Sequence, residues 1–119
     1  RKQFGKPIGS NQAVKHMAAD CAVSLEAMKA AVEYAGWALD EAQEDTAAAE
    51  EASLALLSAA SYVGEHGRRV AERCVQMHGG IGMTDAHDAG FYMKRARAAE
   101  AAFGNQGYHR DRYARIQGY

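Results

Sequence analysis

The stretch AADCAVSLEAMKAAVEYAGWALD, residues 18–40, decides the fold. Its apolar positions Ala18, Cys21, Leu25, Met28, Val32, Ala35 and Leu39 recur at alternating steps of three and four. That is the period at which side chains stack along one face of an α-helix. Lys15, Glu26, Lys29, Glu33 and Asp40 fall off the stripe and mark a solvated face. The pattern predicts a helix of about eight turns. Ser10 or Asn11 is placed to cap its start, because a short polar side chain there accepts one of the unpaired N–H groups. Upstream, Gly5, Pro7 and Gly9 punctuate a lead-in over residues 1–9.

Downstream, Asp40, Glu41, Gln43, Glu44 and Asp45 form a polar break. Asp45 or Thr46 then caps a second helix, with Glu50 and Glu51 near the positive end of its dipole. Leu56, Ala60, Val63, Gly67, Val70, Cys74 and Met77 carry its stripe. Gly64 and Gly67 lie inside that helix, where each costs about 1 kcal/mol against alanine. Close packing of a neighbouring helix at both positions accounts for them. Gly79, Gly80 and Gly82 end the helix. Thr84 is the expected cap of a third helix, with Asp85 in its first turn, running to about Ala102. A second break over Phe103–Gly107 precedes an arginine-rich helix from Tyr108 to about Gln117. Two long helices and two shorter ones specify an all-α, up-and-down bundle forming a single domain over residues 1–119. Two long stripes alone enclose little, so at least one further bundle helix is expected from outside this sequence.

Composition narrows the function classes. Hydrophobic residues make up 48% of the 119 and charged residues 24%, within the ordinary globular range. The net charge of -1 gives no basic surface for nucleic acid or an anionic membrane. No apolar run approaches the ~20 residues that cross a bilayer, and no charged-then-apolar leader opens the chain. The first residue is Arg1 and not Met, which predicts a longer parent chain. Cys21 and Cys74 form no CxxC pair and are read as small core residues of a reducing cytoplasm. Asp85, His87 and Asp88 have metal-ligand chemistry, but acidic residues also belong at a helix start, and no metal site is assigned. Lys94, Arg95, Arg97, Arg110, Arg112 and Arg115 are read as a solvated or subunit-facing surface.

Two short motifs carry the functional information. The first is Arg1-Lys2-Gln3-Phe4-Gly5-Lys6-Pro7-Ile8, followed by Asn11-Gln12. The second is Gln76-Met77-His78-Gly79-Gly80-Ile81-Gly82-Met83-Thr84. Taken alone, an arginine at a chain start is usually solvated and a double glycine after a helix is usually a stop signal. In this order and at this spacing, however, the chain resembles the C-terminal helical domain of acyl-CoA dehydrogenases. The resemblance implies an FAD-dependent parent enzyme that oxidises an acyl-CoA thioester. It implies homo- or hetero-oligomers, with each FAD lying across a dimer interface, and an electron-transfer flavoprotein as a partner. Arg1 would contact the FAD pyrophosphate, with Gln3, Phe4, Asn11 and Gln12 beside the same cofactor. Gln76 and the backbone of Met77, His78, Gly79 and Gly80 would meet its adenosine and phosphate portion, glycines allowing close approach to phosphate.

The family's catalytic base is a carboxylate, which must be ionised at rest to take a proton. Matching Gly104 to the family glycine puts Phe103 at the base position, and phenylalanine accepts no proton. The residues that follow, Asn105, Gln106 and Gly107, also depart from the pattern. Three explanations stay open: a base on the preceding, absent helix; a non-catalytic subunit of a heteromeric dehydrogenase; or Glu100, one helical turn away. An unrelated helical oligomerisation module is the remaining alternative.

Overall fold

The computed structural model describes residues 1–42 and 46–119. Gln43, Glu44 and the expected cap Asp45 lie outside the described residues.

A small antiparallel hairpin opens the chain: β1 (Lys2–Gln3) pairs with β2 (Lys6–Pro7), Lys2 opposite Pro7. Phe4 and Gly5 between them have φ of 53° and 76°, the doubly left-handed form whose twist suits a two-residue hairpin. A 3-10 turn over Ile8–Ser10 leads into α1 (Gln12–Glu41). Asn11 occupies the cap position of α1 without a side-chain bond, and the Ser10 hydroxyl donates to the Pro7 carbonyl. Then come α2 (Thr46–His78), a 3-10 turn over Gly79–Met83, α3 (Ala89–Phe103) and α4 (Gln106–Ile116).

The third helix begins later than the sequence predicts. Thr84 closes the 3-10 turn, its hydroxyl donating to the Ile81 carbonyl at 2.8 Å, and Asp88 is the residue preceding α3. The glycines that stop α2 also let the chain coil tightly once more, so a short bridge separates the two helices.

α1 and α2 run antiparallel, as the Asp20–Arg73 ion pair near one end and the Tyr34–Glu51 hydrogen bond near the other require. Their seam is built from Ala35, Ala38, Ala52, Ala55 and Ala59, with Ala31 and Ala42 against it. Small side chains bring the two backbones close, so the interface holds by contact density more than by bulk. α3 and α4 follow one another along α2, antiparallel to it. Arg97 pairs with Glu72 at 3.1 Å, Glu100 approaches Arg68 at 3.8 Å, and Arg110 pairs with Glu65 at 2.6 Å. α2 is therefore the central helix, packed against all three others.

The molecule measures 61 × 26 × 24 Å with a radius of gyration of 18.0 Å, against roughly 13–14 Å for a compact domain of this length. The elongation has a cause in the stripes. Cys21, Met28 and Ala35 of the α1 stripe are buried, whereas Leu25, Val32 and Leu39 are about half exposed. On α2 the deepest residues are Ala52, Ala55, Ala59, Ser61, Ala71 and Val75, all but Ala52 directly beside a member of the predicted row, and Leu56 is exposed. Val32, Gly36, Leu39, Leu56, Ala60 and Val63 line an apolar groove of about 380 Å³ between the two long helices. The apolar face is wider than the helix pair can cover, which is the surface where a further bundle helix is expected.

Gly67 faces Met28 of α1, whose sulfur lies 3.8 Å from where a Cβ would sit, an ordinary contact distance that leaves room for a methyl group. Gly64 departs further from the close packing expected at both positions. Nothing approaches its Cβ position within 4 Å, because it borders an open cavity between α2 and α3.

Candidate functional site

The two sequence motifs meet at one end of the molecule. Arg1 Nη1 donates to the His78 carbonyl oxygen at 2.9 Å, and the guanidinium lies close against Gly79. A Cβ on Gly79 would sit 2.8 Å from Nη1, and its φ of 69° is the left-handed form that glycine adopts without penalty. The contact is built from both sides. The hairpin holds Arg1 in place, with Ile8 N donating to the Arg1 carbonyl at 3.0 Å. The α2 terminus presents an unpaired carbonyl, as every helix end does.

The turn itself is folded tightly onto α2. A Cβ on the buried Gly82 would meet the Val75 carbonyl at 2.9 Å and His78 Cβ at 3.0 Å. The His78 ring turns back, its Nδ1 lying 2.7 Å from the Cys74 carbonyl, so that nitrogen carries the proton. Its face meets the ring of His87, with centroids 4.1 Å apart. His87 in turn accepts the Ala89 N–H on Nδ1 at 3.1 Å.

Of the residues the sequence nominates for cofactor contact, Arg1, His78 and Gly79 are brought together directly. Gln3 and Phe4 sit in the hairpin, Phe4 with 92% of its surface exposed. Asn11 and Gln12 begin α1, and Gln76, Met77 and Gly80 flank the α2 terminus. All share this end of the molecule. Among the described residues the guanidinium makes the single hydrogen bond to His78, and it has five N–H donors in all. The end therefore offers an arginine fork with donors to spare beside a backbone free of Cβ at Gly79 and Gly80. That is chemistry suited to a phosphate or another anion. The sequence placed His87 only at a helix start with metal-ligand chemistry and not among the cofactor contacts, and the folded turn brings its ring against His78.

The base position is elsewhere. Phe103 ends α3 with 81% of its surface exposed, at the rim of a cavity of about 260 Å³ lined also by Ala60, Gly64, Glu100 and His109. Glu100 faces Arg68 across that cavity at 3.8 Å. Gly104 has a φ of 96°, and Asn105 caps α4 by accepting the Tyr108 N–H at 2.9 Å. The departure to Asn105 thus has a local structural use.

The remaining charges pair both within helices and between them. Hydrogen bonding from Arg68 keeps the Glu72 carboxyl below its ordinary range, against the opposing effect of partial burial, and Arg97 adds to it. A hydrogen bond from Arg110 does the same for Glu65. Arg115 pairs with Asp111, Arg112 with the Tyr108 hydroxyl, and Lys94 sits over the Phe91 ring. Cys21 is buried on α1 and Cys74 is partly buried on α2, both as free thiols. Burial pushes the Cys74 thiol up, and the neighbouring Cys21 pushes it further. Among the described residues no helix is long and apolar enough to cross a membrane, and no three His, Cys, Asp or Glu side chains converge as a metal site would require.

Comparison with known proteins adds an independent line. Residues 1–117 match the family model described as acyl-CoA dehydrogenase, C-terminal domain. The chain is 40% identical over 107 residues to acyl-CoA dehydrogenase FadE34 of Mycobacterium tuberculosis, covering 90% of this chain and 14% of that protein. It is 40% identical over 82 residues to the caffeyl-CoA reductase-Etf complex subunit CarC of Acetobacterium woodii, covering 69% of this chain and 20% of CarC. It also superposes with a TM-score of 0.87 and 28% identity on a chain from a structure of the electron transferring flavoprotein of Acidaminococcus fermentans, described in terms of flavin-based electron bifurcation. That match covers 99% of this chain and 29% of the other. The sequence spans less than a third of each of these three proteins.

Proposed function

The chain belongs to the acyl-CoA dehydrogenase family, as its C-terminal domain, and on that footing we propose that Arg1 and the Gly79-Gly80 turn hold the pyrophosphate of FAD in a flavin-dependent parent enzyme. The observation that carries this is the 2.9 Å contact from Arg1 to His78, which aims an arginine fork and a Cβ-free backbone at one place. FAD, when bound, supplies the hydride acceptor for α,β-dehydrogenation of an acyl-CoA thioester. The chain's own part is to bind and orient. Arg1 neutralises phosphate charge, the glycine turn admits phosphate oxygens to backbone N–H groups, and Gln3, Phe4, Asn11, Gln12, Gln76 and Met77 frame the approach. Family membership removes the unrelated oligomerisation module from consideration.

The parent enzyme is read as a cytoplasmic homo- or hetero-oligomer that takes acyl-CoA, with no nucleic-acid or membrane partner. The half-exposed apolar row on α1 and α2 supports further packing, and the likeness to CarC supports an electron-transfer flavoprotein as electron partner. Arg1→Ala and Gly80→Leu in the full-length protein test the site. Flavin retained after gel filtration should fall in both, and undiminished occupancy would sink the proposal.

Phe103 favours a second reading, a non-catalytic subunit pairing with a partner that carries the base. Its side chain offers no proton acceptor, and the neighbouring Glu100 faces Arg68. Phe103→Glu in full-length protein separates this reading from a base on the absent upstream helix. Turnover gained without any partner points to the deficient subunit, and an unchanged rate points to the upstream base.

A further inference from the structure

His87 belongs to neither cofactor motif, and its sequence context, Asp85-Ala86-His87-Asp88, reads as an ordinary helix start. The fold gives its imidazole two separate engagements. Its Nδ1 accepts the Ala89 N–H at 3.1 Å, which satisfies one of the unpaired donors at the start of α3. Asp88, the residue in the cap position, makes no side-chain cap bond. Accepting at Nδ1 requires that nitrogen to be unprotonated, so the neutral ring carries its proton on Nε2. Its ring lies against the ring of His78 at 4.1 Å, tilted by 44°.

His78 is the residue through which Arg1 is held. Its carbonyl receives the guanidinium at 2.9 Å, and its ring is tied back by Nδ1 to the Cys74 carbonyl at 2.7 Å. The His87 ring lies against it from across the turn. We propose that His87 is a positioning residue for the anion clasp: by backing the His78 ring it fixes the carbonyl that aims Arg1, while its Nδ1 independently caps α3. This rests on the reading of Arg1 as a phosphate contact. It assigns to His87 no contact with the cofactor.

The two engagements separate by substitution in the full-length protein. His87→Asn keeps a short acceptor suited to a helix start and removes the ring. His87→Phe keeps a ring against His78 and removes the acceptor. The expected pattern is crossed. His87→Asn should melt near the parent temperature yet bind FAD about tenfold more weakly, the low end for weakening a charge-assisted hydrogen bond. His87→Phe should melt lower yet hold FAD within about twofold of the parent, because the bracing contact is made by the face of an aromatic ring, which phenylalanine retains. Flavin affinity is read by fluorescence titration of the deflavinated protein and stability by thermal melting. The Arg1→Ala/His87→Asn double variant should bind no more weakly than Arg1→Ala alone, since the brace acts only through Arg1.

Loss of stability and of flavin affinity together in both variants, including failure to fold, would overturn the assignment, as a role in stability alone predicts. Additive losses in the double variant, or unchanged affinity in His87→Asn, would overturn it too. Unchanged affinity in Arg1→Ala would instead remove the phosphate reading on which the proposal stands.

Discussion

Arg1 and His78 are 77 residues apart in the chain and joined by one 2.9 Å hydrogen bond, from a guanidinium to the last carbonyl of a 33-residue helix. The bond closes the ends of two structural units, the opening hairpin and the α1–α2 pair, onto each other. Its geometry also depends on the residue that follows His78, because Gly79 leaves room for the guanidinium where any Cβ would press on it.

The two glycines of the turn should therefore respond differently. Gly79→Ala places a side chain at φ 69°, a conformation costing about 1–2 kcal/mol for an L-residue, and crowds Arg1. Gly80 has no neighbour within 4 Å of its Cβ position, so Gly80→Ala should change stability by no more than about 0.5 kcal/mol. Thermal or urea melts of the two variants check the contrast, and equal losses would contradict it.

Gly64 offers a gain. It lies in the interior of α2 beside an open cavity, with nothing near its Cβ position. Gly64→Ala should stabilise the isolated chain by about 0.5–1 kcal/mol through reduced backbone freedom. A melting temperature at or below that of the parent chain would contradict the open space seen beside Gly64.

Acid should weaken the Arg110–Glu65 tie between α4 and α2 and the Arg68–Glu72 pair within α2, to which Arg97 of α3 also reaches. The Glu72 and Glu65 carboxyls are both held below the ordinary glutamate value, by hydrogen bonds from Arg68 and Arg110 respectively. A carboxyl depressed on folding stabilises the fold above its unfolded value, and that contribution is lost as pH falls through its folded value. The loss therefore falls below pH 4.5, the reference value from which both are lowered. Stability measured from about pH 7 down to about pH 3 should drop in that window, and Glu72→Gln should flatten the drop. An identical acid limb in that variant would refute the assignment.

Cys74 should be a slow nucleophile. Burial, and then Cys21, raise its thiol above the ordinary value, so little thiolate exists at about pH 8. Its alkylation under native conditions should be slower than that of a free cysteine, rising to the free rate in denaturant. Native labelling as fast as free cysteine would contradict the packing seen at the α1–α2 seam.

Much of the architecture was legible because it is local. The three-four spacing from Ala18 to Leu39 marks helix wherever the chain folds, and Gly79 with Gly80 ends a helix by backbone preference alone. The start of α3 was less legible, since Thr84 and Asp88 are both chemically fit to precede a helix. The choice fell to the 3-10 turn that the glycines allow. Gly64 and Gly67 look alike in sequence, yet only Gly67 meets Met28.

The sequence by itself determined the helical class, the order of the helices and the two motifs at the ends of the long pair, because each depends on residues within a few positions of one another. Only the tertiary structure decided which edge of each apolar stripe is covered, that Arg1 grips His78, and that the His87 ring lies against it. A helical stripe is broader than the seam one neighbouring helix can cover, and a contact across 77 residues leaves no periodic trace in either segment.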